Sequence, residues 1–415
     1  METTKPFEIS KHDVVRAWEL VKANDGAEGV DGETIEQFES NLKGNLYKLW
    51  NRMSSGSYFP QPTRTVAIPK KDGGERRLGI PSVSDRVAQT VAKLSFELMV
   101  EPYFLGDSYG YRPGKSAHQA LEITRKRCWR YDWVLEFDIR ALFDNIDHHL
   151  LMKAVNRHTD NPWLLLYIER WITAPVQQPD GSMVARDKGV QQGGVISPVL
   201  SNLFMHYVFD AWMGREYADL PWCRYADDAL AHCRTQTEAE QLKEALEKRL
   251  QECGLEMHPV KTKIVYCKDD DRRGSYPVRS FDFLGYTFRA RRSKNKLGKH
   301  FINFSPAMSN SAAKAIRQEV RSWSMPKRGD KSIEDLSRMF GAKIQGWINY
   351  YGRFYRSQMY MTLRHINMKL VRWAMRKFKK LYRHRQRAEH WLGRVAENFP
   401  SLFPHWRMGL LPTVG

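Results

Sequence analysis

The sequence predicts an α+β fold, an antiparallel sheet backed by helices, followed by a helical and strongly basic region. Three observations carry this expectation. In "YDWVLEFDIRALF", Leu135, Phe137 and Ile139 alternate with Glu136 and Asp138, the two-residue period of a half-buried strand with carboxylates on its other face. In "CRYADDALAHC", residues 223 to 233, two aspartates fall where two short apolar strands meet, so the stretch reads as a β-hairpin with an acidic turn. Beyond about residue 305 the pattern becomes helical and basic. Strand, helix, hairpin, helix, strand is an order that closes into an antiparallel sheet with helices packed on it.

Taken in order, residues 8 to 55 read as helices interrupted by the polar, glycine-rich "NDGAEGVDGE". "TRTVAIP" is strand-like, "KKDGGERR" is a turn, and "LGIPSVSDRVAQTVAKLSFELMVEPYF" is a strand end followed by a long helix. Residues 145 to 175 are mostly helical, Pro179-Asp180-Gly181 marks a hairpin turn, and "SPVLSNLFMHYVFDAWM" is an apolar-rich helix. After the acidic hairpin comes a well-marked helix. Thr235 and Glu238 have capping-box spacing, Leu242, Leu246 and Leu250 form one stripe, Glu244 and Lys248 pair at i,i+4, and Gly254 ends it. "KTKIVYC" and "SFDFLGYTFRA" read as strands, and "RARRSKNKLGKH" as a linker.

A chain of 415 residues has room for two or three domains with real apolar cores. It has no apolar run of about 18 residues, and "METTKPFEIS" lacks the marks of a signal peptide or presequence, so a soluble, cytoplasmic protein without a membrane partner is expected. The five cysteines form no C-x-x-C pair, which excludes a disulfide framework or zinc finger and leaves reduced, packed thiols. The net charge of +19 is unevenly placed: residues 286 to 415 hold 28 Lys+Arg against 6 Asp+Glu, while the rest of the chain is slightly acidic. Concentrated charge interleaved with aromatics, as in "VRWAMRKFKKLYRHRQR", points to a polyanion, and nucleic acid is the expected partner.

Adjacent aspartates repel, and a bound divalent cation reverses that cost. Mg²⁺ takes oxygen ligands, usually one or two carboxylates together with water and substrate phosphates. Asp227 can supply one, and Asp138, on the carboxylate face of its strand, can lie beside the hairpin and supply another. Two ions about 3.5–4 Å apart could then serve an attacking hydroxyl and a leaving pyrophosphate, which is phosphoryl transfer by positioning and electrostatics.

Nine blocks in order, "NDGAEGVDG", "IPKKDGGERRLGIPSVSDR", "YGYRPGKSAHQA", "FDIRALFDNIDH", "QGGVISPVLSNLF", "YADD", "GLEMHPVKTKI", "FDFLGYTF" and "GWINYYGRF", resemble those of the bacterial group II intron-encoded reverse transcriptases, or maturases, over roughly residues 20 to 385. The resemblance implies a right-hand polymerase: fingers with an N-terminal extension (1–125), palm (126–290), helical basic thumb or maturase domain (291–385) and a short basic, DNA-binding segment (386–415). It implies an RNA-directed DNA polymerase that uses two Mg²⁺ ions and deoxynucleoside triphosphates, copies intron RNA from a DNA primer, and binds that RNA to assist splicing and mobility. The expected place of work is the bacterial nucleoid, and a homodimer is left open. After residue 385 no His-Asn-His nuclease pattern follows, so a compact member, such as those of class C introns, is expected.

By the same resemblance, Asp138 and Asp227 bind the ions with the Ile139 carbonyl, and Asp228 supports them as the third catalytic carboxylate. Phe143 sits where the family places a ring that would clash with a ribose 2′-hydroxyl, although a core aromatic is the plainer reading of such a residue alone. Lys70 and Arg76 flank the fingers turn and would clamp the triphosphate, with Arg112 a weaker candidate; such residues supply charge-assisted bonds to phosphate. Gln192 and Gly193 resemble the block that lies against the nascent base pair, where glycine permits close backbone approach. Arg77 and Gln191 stand where many relatives have proline. Lys261 fits a phosphate-facing or proton-donating lysine, and Phe283, Leu284, Gly285 and Tyr286 a primer-positioning hairpin. Trp347, Tyr350, Tyr351, Phe354 and Tyr355 follow helical spacing and read as helix-on-helix packing. Arg372, Arg376, Lys377, Lys379, Lys380, Arg383, Arg385 and Arg387 are the candidates for touching an RNA or duplex backbone. Two readings stand beside this one: a reverse transcriptase serving its host without an intron, and a non-catalytic RNA-binding splicing factor, against which the intact Asp138, Asp227 and Asp228 argue. A palm-type nucleotidyl cyclase would lack the "QGGVISP" block and the basic thumb.

Overall fold

A computed structural model describes residues 5–69, 74–295 and 297–412, and of Arg76 the backbone alone. The chain divides into two compact units, one of residues 1–120 and 135–264, the other of residues 121–134 and 265–415. The expected palm, residues 126 to 290, is therefore not one packing unit: its first and last stretches belong with the basic helices.

In the first unit, helix Lys11–Asn24 starts where the Ser10 hydroxyl accepts the His12 amide, and its Val14, Ala17, Trp18 and Val21 form the buried stripe. Helix Val83–Val100 is capped by Ser82 and carries the buried Asp85. That carboxylate accepts from the Tyr58 hydroxyl at 2.8 Å, Trp171 Nε1 at 2.7 Å and Gln89 Nε2 at 2.9 Å. Burial raises its pKa against the pull of these bonds. The glycine-rich break after the first helix is anchored: Arg86 donates to the carbonyls of Asp25 and Ala27 at 3.2 and 3.0 Å. A Cβ on Gly29 would lie 2.5 Å from Ser82 Cα, so a larger residue could not sit there.

Eight strands follow in chain order: β1 Thr63–Pro69, β2 Glu75–Ile80, β3 Trp133–Phe137, β4 Val176–Gln177, β5 Met183–Val184, β6 Trp222–Tyr225, β7 Asp228–Cys233 and β8 Lys263–Tyr266. One sheet has the order β2-β1-β4-β5, with β1 antiparallel to β2 and parallel to β4. The other has the order β6-β7-β3-β8 and carries the candidate site. The helix expected before the acidic hairpin runs from Ser197 to Glu216 but widens to a single π turn at His206–Asp210. Helix Gln236–Glu252 has the predicted Thr235 cap and buries Leu242, Leu246 and Leu250.

In the second unit, β9 Ser280–Phe283, β10 Tyr286–Lys294 and β11 His300–Met308 make an antiparallel sheet of order β11-β10-β9. The predicted linker is thus mostly strand, paired from Tyr286↔Met308 to Lys294↔His300. Its basic residues sit on a sheet that also buries an aromatic patch: Phe281 stacks on Phe288 at 4.7 Å, and the buried Arg291 lays its guanidinium on the Thr287 and Ser305 carbonyls. Helices Asn310–Ser322, Ile333–Tyr351, Tyr360–Lys377 and Arg385–Asn398 surround one core. Ala388, Leu392, Phe403, Trp406 and Leu410 share it with Ile316, Leu336 and Leu370. The expected division at residue 386 is therefore not a boundary of packing, because the last segment supplies core side chains.

Residues 121–134 join this unit through Arg272, which pairs with Asp132 at 2.9 Å and donates to the Cys128 and Cys267 carbonyls at 2.7 Å. Trp129 Nε1 donates to the Phe304 carbonyl at 2.8 Å. All five cysteines are buried free thiols, as their spacing predicts. Among the described residues no helix is long and apolar enough to cross a membrane.

Candidate active site

The β6–β7 hairpin closes through the Tyr225↔Asp228 pair, leaving Ala226 and Asp227 as its two-residue turn. Ala226 adopts φ +59°, a left-handed conformation that costs a non-glycine residue about 1–3 kcal/mol and persists only where neighbours hold it. Asp138 follows the end of β3. There the chain pairs with residues 256–258: His258 N donates to the Asp138 carbonyl at 2.8 Å, Arg140 N donates to the Glu256 carbonyl at 2.9 Å, and Ile139 bridges Met257. This pairing carries Lys261 to Asp138, with Nζ 2.6 Å from Oδ2.

Asp228 feels the other two aspartates. Desolvation in its recess, then the charges of Asp227 and Asp138, push its carboxyl up to about 7, with Lys261 opposing. Its side chain is nevertheless open to solvent on one side, and water there screens part of this effect. Among the described residues no three His, Cys, Asp or Glu side chains enclose a metal by themselves. The donor set still fits Mg²⁺, which needs only one or two carboxylates when phosphate oxygens complete its shell. The Lys261 ammonium on Asp138 shows that a cation is welcome there.

Phe143 is buried, and its carbonyl accepts the Val190 amide at 2.7 Å. The loop that follows binds β2: the Gln192 carbonyl accepts the Gly79 amide at 2.7 Å, and Gly193, at φ +108°, lies where a Cβ would be 2.4 Å from the Gly79 oxygen. The close approach that Gly193 permits is thus to the β2 backbone. A polar recess of about 260 Å³ opens beside Gln192, lined among others by Arg77, Asp144, Arg186 and Lys188. Burial lowers the Arg186 pKa while Asp144 opposes the shift.

Arg112 is a correction. Its side chain is only 6% exposed, forks onto Glu101 at 2.7 Å and donates to the carbonyls of Phe104, Leu105 and Ser108. A guanidinium so engaged has no donor left for a triphosphate. Lys70 lies outside the described residues, as does the Arg76 side chain. Sequence reasoning missed Arg224, which is fully buried behind the acidic turn and paired with Asp210 at 2.6 Å. Its signal was available: a lone arginine inside the apolar strand "WCRY".

In the second unit, Phe283 and Tyr286 flank the Leu284-Gly285 turn of the β9–β10 hairpin. The aromatic stripe packs mainly on this hairpin, correcting the helix-on-helix expectation. Tyr350, Tyr351 and Phe354 surround the Tyr286 ring at 5.6–5.8 Å, Tyr350 donates to the Leu284 carbonyl at 2.9 Å, and Tyr355 to the Arg292 carbonyl at 3.1 Å. Trp347 stacks on Trp323, the residue that closes helix Asn310–Ser322, and Tyr351 also packs on the helical core. Of the predicted basic contacts, Arg372, Arg376, Lys379, Lys380, Arg383, Arg385 and Arg387 are exposed, with Arg385 paired to Glu389 at 2.7 Å. Lys377 is spent on the carbonyls of Gly329 and Lys331. A cluster the sequence reading overlooked gathers on the helices Asn310–Ser322 and Tyr360–Lys377. Burial and then the charges of Lys369, Arg321, Arg317 and Arg372 hold the His365 pKa down, so these cations crowd one face.

Comparison with known proteins agrees with both units. The model of the family described as reverse transcriptase (RNA-dependent DNA polymerase) matches residues 68–288, over half the chain, and that of the group II intron maturase-specific domain matches residues 313–391. The chain is 32% identical over 308 residues to protein YkfC of Escherichia coli K12, covering 64% of this chain and 77% of that protein. It is 31% identical over 193 residues to the group II intron-encoded protein LtrA of Lactococcus lactis, covering 46% of this chain and 32% of LtrA. The putative COX1/OXI3 intron 1 protein of Saccharomyces cerevisiae is 28% identical over 189 residues, covering 46% of this chain and 22% of that protein. With Asp228 under the charges of Asp227 and Asp138 in the region matched by the first model and a maturase-specific domain in the basic unit, the chain belongs to the reverse transcriptase family, in its group II intron-encoded branch.

Proposed function

We propose that this protein is an RNA-directed DNA polymerase that extends a DNA primer on an RNA template by Mg²⁺-dependent phosphoryl transfer, and that its second unit binds structured intron RNA in support of splicing. The observation that carries the reading is that β3 and β7 are neighbours in one sheet, so that Asp138, next after β3, acts on Asp228 at the start of β7 although the two are distant along the chain. Asp138 and Asp227, with the Ile139 carbonyl, would hold Mg²⁺, and Asp228 would tune the site. When bound, the ions supply activation of the attacking hydroxyl and neutralisation of charge on the leaving pyrophosphate. Before substrate arrives, Lys261 offsets the carboxylate repulsion through its 2.6 Å pair with Asp138. Its side chain is 55% exposed, so it can turn to a nucleotide phosphate once a metal takes over that role. Phe143 would be the ring that excludes a 2′-hydroxyl; its carbonyl holds the Val190 amide of the 189–194 loop at 2.7 Å, which supports that role. Arg77, Arg186 and Lys188 around the recess are the cations for triphosphate or template phosphates, in place of Arg112. The hairpin Phe283–Tyr286, buttressed by three aromatic rings, would seat the primer end.

The test is extension of a DNA primer on an RNA template with Mg²⁺, run beside Asp227→Ala. Extension by the natural protein and a loss of about a thousandfold or more in the variant, some 4 kcal/mol of transition-state stabilisation, is expected. Undiminished extension by the variant refutes the site. Splicing assistance that survives the substitution would mark the second activity as separable.

A further inference from the structure

We infer that Arg224, Asp210 and Asn202 form a buried lock whose task is to aim the Ala226–Asp227 turn, and with it the carboxylates of Asp227 and Asp228. The inference rests on reading those carboxylates as the metal-holding groups. Arg224 lies on β6 and is wholly buried, as is Asp210. Its Nε and Nη2 take the two Asp210 oxygens at 2.7 and 2.6 Å. Nη2 also donates to Ser108 Oγ at 2.9 Å, and Nη1 donates to Asn202 Oδ1 at 3.0 Å and to the Ala226 carbonyl at 3.1 Å. Asn202 in turn donates to the Gly110 carbonyl at 2.7 Å. Gly110 presses on the other side of the same residue: a Cβ there would lie 2.4 Å from the Ala226 nitrogen. The backbone of Arg224 is fixed too, its amide on the Asp107 carbonyl at 3.0 Å and its carbonyl on the Tyr109 amide at 2.8 Å.

Ala226 is thereby held at its carbonyl by the guanidinium and crowded at its nitrogen by Gly110, which accounts for a left-handed alanine at this point. Asp210 occupies the only π turn among the described helices, where the Ala211 amide bonds the His206 carbonyl, and such a widened turn re-aims the side chain it carries. Stability alone does not call for this arrangement, since a buried ion pair roughly breaks even against apolar packing of the same volume. What a planar fork with fixed acceptors adds is direction. Arg224, Asp210 and Asn202 are positioning residues: they act through the turn.

The test uses the full chain with Asn202→Ala, Arg224→Lys and the charge-free pair Arg224→Met with Asp210→Leu, each checked for fold by circular dichroism and melting. In metal-free protein, amide exchange of residues 222–230 should quicken by about tenfold, and Mn²⁺ affinity read by electron paramagnetic resonance should weaken by about tenfold. Affinity for template–primer duplex should stay within about twofold of the natural protein. Unchanged exchange and Mn²⁺ affinity in Asn202→Ala and in the charge-free pair overturn the inference. Loss of folding in the charge-free pair also overturns it, because the network would then hold the unit together and not aim the turn. Asp227→Ala is the control: if it binds Mn²⁺ as the natural protein does, the metal reading itself fails, an outcome distinct from failure of the lock alone.

Discussion

Asp228 shows how a single carboxyl records its surroundings. In the unfolded chain an aspartate is ionised above about pH 4, whereas in the folded, metal-free protein Asp228 keeps its proton up to about 7. The folded state binds the extra proton across that window, so stability falls as pH rises through it and the full cost stands above pH 7. Asp228→Asn should therefore raise the melting temperature of metal-free protein at pH 8, by on the order of a degree or two given screening on its open side, and leave it unchanged at pH 4. A thermal melt with chelator at both pH values checks this, and primer extension by the same variant should fall. The three aspartates were legible because adjacent like charges in a turn, together with a carboxylate-bearing strand, need a shared reason. Arg112 was misread because sequence does not tell a phosphate-facing arginine from one already spent on Glu101 and three carbonyls. Arg224 went unnoticed although a charged residue inside "WCRY" is unusual enough to demand a buried partner.

At the scale of elements, helices were read well, because caps and stripes are local; Thr235 and Leu242, Leu246 and Leu250 sit as their spacing predicts. Strand pairing was read less well. In "RARRSKNKLGKH" the charges mask a hairpin whose buried rings lie just outside the stretch, Phe288 and Phe304 both stacking on Phe281, a match invisible to local composition. For the same reason the tyrosines of helix Ile333–Tyr351 could not be assigned to a sheet partner without the fold. The basic face on helices Asn310–Ser322 and Tyr360–Lys377 leads to a sharper expectation than the 372–387 run alone. Replacing Arg317, Arg321, Lys369 and Arg372 by glutamine should weaken RNA binding and flatten the plot of log affinity against log salt by about 0.7–0.9 for each phosphate no longer neutralised. Lys377→Gln, its ammonium already on two carbonyls, should instead lower the melting temperature and leave that slope alone. A filter-binding salt series on the two variants separates the cases.

Taken whole, the molecule keeps its positive charge and its carboxylate site in different units, so polyanion capture and phosphoryl transfer can be tuned by different residues. The basic unit also has an acid-sensitive seam. His405 is buried, bonded through Nε2 to Asn367 Oδ1 at 2.7 Å, and burial drops its pKa to about 3. A histidine in the unfolded chain titrates near 6.5, so its contribution is whole above that value and is lost as pH falls toward 3, at about 1.4 kcal/mol per pH unit. Denaturant titrations between pH 6.5 and 5, above the range of ordinary carboxylates, should show this slope, and His405→Gln should flatten it.

The excursion of residues 121–134 into the later-made unit bears on birth at the ribosome. Cys128 and Trp133, both buried in the finished protein, are synthesised well before Arg272, which binds the Cys128 carbonyl, and Tyr266 and Tyr276, whose rings pack on Trp133. Until then this ribbon stays uncovered, a ready target for chaperones, and a message broken in between would leave a nascent product that cannot hide it.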